Sequence, residues 1–182
     1  MLSVFSERSG RMLPMESPLH RYLADIHHAM NAGAFYSALA LSVAIPDICG
    51  GIEYPDEKKV AKRYQDWFDQ CCYMLQSYLT AADCYAIRCS YLHQGIDEFG
   101  GSSASVARLT HIDFTVGKAA GGWSLSFLPS EQGLREKGAV RIPVEDFCRD
   151  MTTSANAWWK SRSSDPRVTS ALARLIEFRP AS

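Results

Sequence analysis

Residues 35–45 read FYSALALSVAI, and this stretch decides the fold. Nearly every position is apolar, so neither one helical stripe nor a two-residue alternation describes it; a helix buried on most sides does. The Pro46-Asp47 and Gly50-Gly51 pairs predict its end. Working outward, Leu19, Leu23, Ile26 and Met30 recur on one helix face behind Ser17-Pro18, a capping residue and a first-turn proline. That predicts a first helix over 18–31. Beyond Pro55, the series Val60, Tyr64, Trp67, Cys71, Leu75 and Tyr78 predicts one long amphipathic third helix. Thr80 with Asp83 forms a capping-box start and Gly95 a left-handed stop, which predicts a fourth helix over 81–94.

After Gly95 the texture becomes rich in glycine and serine, and then the period falls to two. Ile112, Phe114 and Val116 alternate with polar residues, as do Trp123, Leu125 and Phe127, with Val140 and Ile142 beyond. Helical signals return at Pro143, through Phe147, Met151, Ala155 and Trp158, and at Asp165-Pro166, through Val168, Leu172 and Leu175. The expected fold is mainly α: a bundle of five to six helices with a small antiparallel β-hairpin or meander inserted after the fourth, at about residues 109–142. Residues 1–17 read as a loose arm and 18–182 as one domain.

Composition narrows the function. The 182 residues carry 19 Lys+Arg against 20 Asp+Glu, so there is no net positive field for indiscriminate polyanion binding. The charge is uneven, however. Residues 1–107 hold 8 basic against 12 acidic side chains, and residues 108–182 hold 11 against 8. The run from Ala32 to Ile45 is shorter than the roughly 20 residues of a membrane span, so a soluble protein is expected, and one without a membrane partner. The six cysteines form no CxxC pair and none of the doublets of a zinc site. They read as reduced packing residues of a cytoplasmic protein, with no metal and no cofactor.

The stretch with chemistry in it is DCYAIRCSYLHQG, residues 83–95. Arg88 emerges among Cys84, Tyr85, Tyr91 and Leu92, a mostly apolar neighbourhood in which a guanidinium needs an anion or carbonyls. His93 stands in the last turn, where the carbonyl end of the helix suits an imidazolium and a proton can be exchanged near neutrality. An arginine that holds a phosphate and a histidine that moves a proton suffice for metal-free RNA cleavage, because the ribose 2′-hydroxyl supplies the nucleophile.

Arg88-x4-His93 near the end of a helix in an α-bundle resembles the HEPN superfamily, whose signature is Arg-x(4–6)-His. The residue after the arginine, often asparagine in that family, is Cys89 here. The same signature also joins Arg21 to His27 at x5 and to His28 at x6, but at the start of the first helix; only Arg88-His93 follows earlier helices and lies just before a glycine. The resemblance covers about residues 18–95. It implies a homodimer whose two motifs share one cleft, and an endoribonuclease acting in a toxin–antitoxin or phage-defence setting with an antitoxin or defence partner. It also implies the alternative: an inactive scaffold, a helical interaction module or a nucleotide-binding module.

Other candidates surround the motif. Asp47 and Glu53 are expected to support Arg88 or His93 across the bundle, and Cys89 to support them from the same helix. Lys160, Arg162 and Arg167, near Trp158 and Trp159, are a possible RNA-contacting rim. His20, His27 and His28 read as a solvated helix face, and His111 with Asp113 as a hairpin face.

Overall fold

The computed structural model describes residues 17–96, 107, 109–117, 124–128 and 137–176. In chain order they form α1 (Pro18–Asn31), α2 (Phe35–Glu53), α3 (Val60–Cys71), a short 3-10 turn (Leu75–Ser77), α4 (Ala81–Gln94), β1 (Leu109–Thr115), β2 (Ser124–Leu128), β3 (Lys137–Pro143), α5 (Val144–Arg162) and α6 (Pro166–Leu172). The chain is thus mainly helical, with a small sheet inserted after the fourth helix. The expected arm, apart from Ser17, lies outside the described residues, as does Trp123. Ser17 itself caps α1 by accepting the His20 backbone N–H.

α2 is the centre of the bundle and touches each of the other α-helices among the described residues. It does not stop at Pro46 but runs on to Glu53. Proline within a helix removes the N–H that would bond the carbonyl four residues back and crowds that turn. Two tyrosine hydroxyls bond carbonyls beside the disturbed turn: Tyr22 donates to the Leu41 oxygen at 2.8 Å and Tyr64 to the Val43 oxygen at 3.2 Å. Gly50 is likewise no turn residue. A Cβ there would lie 2.5 Å from the Arg63 carbonyl oxygen, so glycine is what lets α3 approach α2 backbone to backbone. Through this extension α2 has the length and mean hydropathy, 1.5, of a helix that could cross a membrane, a test that the buried core helix of a bundle also passes. Its Leu39, Val43, Ile45 and Cys49 are buried among the other helices.

α3 is shorter than its periodicity predicts. It ends at Cys71, and Leu75 and Tyr78 belong to the following turn. The Gln76 side chain donates to the carbonyls of Phe68 and Asp69 at 3.0 and 2.7 Å, satisfying the open end of the helix in place of another turn. Trp67, fully buried, meets Trp158 of α5 edge to face.

The sheet has the order β1-β3-β2. β2 and β3 are antiparallel, as expected of a hairpin, but β1 runs parallel to β3, which departs from the all-antiparallel expectation. Alternation assigns faces and not directions, and the strand next in sequence to β1 is not its neighbour. Ile112 registers with Val140, all three described pairs beyond them continue to Thr115 and Pro143, and Phe114 packs edge to face on Phe147 of α5. The buried faces of β1 and β3 therefore join the same core as the helices.

Candidate functional site

α4 is built for precision at both ends. Thr80 and Asp83 form a reciprocal capping box, and Gly95, at φ 67°, closes the helix in the left-handed conformation. Asp83 is fully buried and its second oxygen accepts the Leu109 backbone N–H at 2.9 Å, which ties the start of α4 to the start of β1.

On this helix Arg88 and His93 are in contact. An ideal helix sets them about 140° apart, but the long arginine side chain closes the gap: Arg88 Nη1 lies 2.9 Å from His93 Nε2. A guanidinium has only donors, so Nε2 accepts, and the imidazole proton sits on Nδ1. Asp47, half-buried within α2, takes the other edge, its Oδ2 accepting from Arg88 Nε at 2.7 Å. Arg88 and Asp47 side chains are 19% and 21% exposed, so the pair is largely withdrawn from water while His93 stays exposed. Burial works most strongly against the arginine's charge, but the hydrogen bond and negative charge of Asp47, together with Cys89, outweigh it, so its pKa is held above the ordinary value. Tyr85 lies with its ring 6.0 Å from the guanidinium carbon, and Cys89 interacts with both Arg88 and Tyr85. Among the described residues Asp47 Oδ1 is buried without a hydrogen-bond partner.

Of the expected supporting residues, the structure thus brings Asp47 and Cys89 to the pair. Glu53 is elsewhere. It accepts from Trp158 Nε1 at 2.8 Å and from Arg162 Nη2 at 2.7 Å, closing the end of α2 onto α5. Asp47 and Glu53 are six residues apart on one helix and so face different neighbours. Arg162 is accordingly committed to Glu53, and Arg167 to Asp165, the cap of its own helix. Lys160 is exposed. Trp158 is a core residue, and Trp159 is half-buried against the His20 ring. His27 and His28 are exposed, and Asp113 is bonded to Arg141 across the strand pair at 2.6 Å. Among the described residues no three His, Cys, Asp or Glu side chains gather as a metal site.

The residue that sequence reasoning missed is Tyr85; its place three positions before Arg88, on the adjoining face, was the available signal.

Glu53 carries a pH dependence. The Arg162 hydrogen bond holds its carboxyl below the ordinary 4.5. The folded pKa is thus lower than the unfolded one, so the contact stabilises above the unfolded pKa and the contribution disappears as pH falls through the folded value. The gap in urea midpoint between wild type and Glu53→Gln is expected to be open at neutral pH and to narrow as pH falls below the ordinary glutamate value. A gap that stays constant over that range contradicts this.

Comparison with protein-family models, with curated proteins and with solved structures finds no match to this chain.

Proposed function

We propose that the chain is a HEPN-like, metal-independent endoribonuclease, a toxin or phage-defence component that acts as a homodimer and cleaves RNA through a site shared by two copies. The observation that supports this most is the 2.9 Å contact between Arg88 and His93, with the guanidinium anchored by Asp47. In this reading Arg88 binds the scissile phosphate and offsets charge as it develops. His93 Nε2, its lone pair released from Arg88 as the guanidinium turns to the phosphate, takes the proton of the ribose 2′-hydroxyl; the 2′-oxygen bonds to phosphorus, and the bond to the 5′-oxygen breaks. The second copy's imidazolium protonates that leaving oxygen, and the product ends in a 2′,3′-cyclic phosphate. Asp47 and Tyr85 are positioning residues, acting through Arg88.

A second reading, a non-catalytic interaction or nucleotide-binding module, has its own support: Asp47 and His93 already satisfy two edges of the guanidinium within one chain, as a structural arginine would be satisfied.

Incubation of total RNA with the purified protein in EDTA, freed of any neutralising partner, separates the two. Cleavage by wild type and a loss of about 100-fold or more in both Arg88→Ala and His93→Ala is expected. Cleavage that neither substitution changes, or no cleavage by wild type, would sink the catalytic reading. Sedimentation of wild type at the mass of one chain removes the shared site.

A further inference from the structure

A cleft of about 390 Å³ opens between the start of α2, the last turns of α4 and β1, walled by Tyr36, Ile87, Tyr91, Ile96 and Ile112, with Asp113 as its charged wall. Its place relative to the candidate site follows from one helix. Ile87 directly precedes Arg88, Tyr91 comes three residues after it, and His93 two further on, so two turns of α4 carry both.

The walls have a particular chemistry. Tyr36 is 83% exposed, unlike Leu39 one turn along α2, which is buried. Its backbone is held in place because Tyr91 donates its hydroxyl to the Tyr36 carbonyl at 2.9 Å. The cleft thus has an aromatic face open to water, aliphatic walls, and an edge where Asp113, paired with Arg141, offers hydrogen-bonding groups. A planar heterocycle matches these three features: it stacks on the ring, displaces water from the aliphatic side chains, and turns its polar edge to the carboxylate. The volume lies at the small end of ligand pockets, suited to one ring system with its sugar.

We propose that this cleft is a nucleobase subsite, holding the base of a nucleotide that neighbours the phosphate at Arg88. It rests on the reading of Arg88 and His93 as a phosphate site, and it deepens that reading by assigning the contact to single-stranded nucleic acid, whose bases are free to stack.

The full-length protein is titrated with adenosine and uridine, which carry no phosphate for Arg88, and with a four-nucleotide RNA, with binding followed by broadening of the nucleobase proton resonances. Saturable nucleoside binding is expected, weakened roughly tenfold in Tyr36→Ala and restored in Tyr36→Phe. Because the Tyr36 side chain is in water and the carbonyl that Tyr91 uses is retained, these variants leave the fold in place. The RNA should bind more tightly than either nucleoside; equal affinity would mean that phosphate adds nothing at Arg88 and overturns the subsite's link to it. Nucleosides that do not saturate, that bind Tyr36→Ala as well as wild type, or that cyclohexanol displaces, overturn the subsite. Nucleoside binding that depends on Tyr36 in a protein whose RNA cleavage ignores Arg88→Ala would overturn the catalytic reading alone. Cleavage that needs Arg88 without nucleoside binding would overturn the subsite alone.

Discussion

Gly50→Ala is expected to lower stability by about 3 kcal/mol or more, read as a fall in urea midpoint, while Gly51→Ala one residue on is neutral or raises it by up to about 1 kcal/mol. The two glycines are adjacent in one helix and share one intrinsic preference, so propensity alone predicts the same small gain for both. What differs is the neighbour. A Cβ at Gly50 would stand 2.5 Å from the Arg63 carbonyl oxygen and 3.3 Å from the Trp67 Cβ, while at Gly51 nothing lies within 4 Å. The obstacle at Gly50 is backbone in the first turn of α3, and relief requires moving one helix away from the other. Trp67, Tyr64 and Phe68 are all fully buried on α3, so that movement would open the best-packed part of the core. It would also displace Asp47, one turn before Gly50, from Arg88. A Gly50→Ala protein as stable as wild type would mean that the helices separate without cost, against the packing described here.

That pair of glycines explains where sequence was legible. α1, α4 and α6 start where their caps lie because Ser17, Thr80 with Asp83, and Asp165 are local signals, each satisfying N–H groups two or three residues away. The end of α2 was not legible, since Gly50 answers to Arg63, a residue distant in sequence. α3 stops because the Gln76 side chain reaches back to its last carbonyls, and nothing in the apolar spacing records that. In the sheet, alternation identified Ile112, Val140 and Ile142 as buried, but it missed Leu109, included Val116, which lies beyond β1 and is exposed, and contained no information on strand direction.

The candidate site divides in the same way. Arg88 and His93 were legible because their spacing on a well-bounded helix restricts them to one end. Asp47 was singled out as a carboxylate in a bend, yet it acts from within a helix, and the Pro46 beside it is a helix residue too. Glu53 had the same type and the same neighbourhood in sequence, and its binding to Trp158 and Arg162 could be found only from the packing of α2 on α5.

Asp83→Ala is expected to destabilise by about 3–5 kcal/mol, more than an ordinary cap loss of about 1 kcal/mol. Its carboxylate is fully buried and accepts the Thr80 backbone N–H at 2.9 Å, the Thr80 hydroxyl at 2.7 Å and the Leu109 N–H at 2.9 Å. Removing it leaves buried donors without acceptors, which costs more than the bonds themselves contributed. Asp83→Asn separates the parts of this effect. Its amide oxygen can still serve Leu109, but the NH₂ group then faces the Thr80 N–H, donor against donor, so part of the loss should remain. Hydrogen exchange at Leu109 gives the residue-level measurement: strong protection in wild type, partial protection in Asp83→Asn, and fast exchange in Asp83→Ala under conditions where the buried amides of α2 stay protected. Equal loss of protection in α2 and β1 would show that Asp83 supports the bundle as a whole and not the joint between α4 and the sheet. Because α4 carries Arg88 and His93 and one wall of the cleft beside them, and β1 carries the opposite wall, this joint also sets the width between the two. Asp83→Asn should therefore weaken nucleoside binding even where the protein remains folded, whereas Glu53→Gln, which acts at the other end of α2, should leave that binding unchanged.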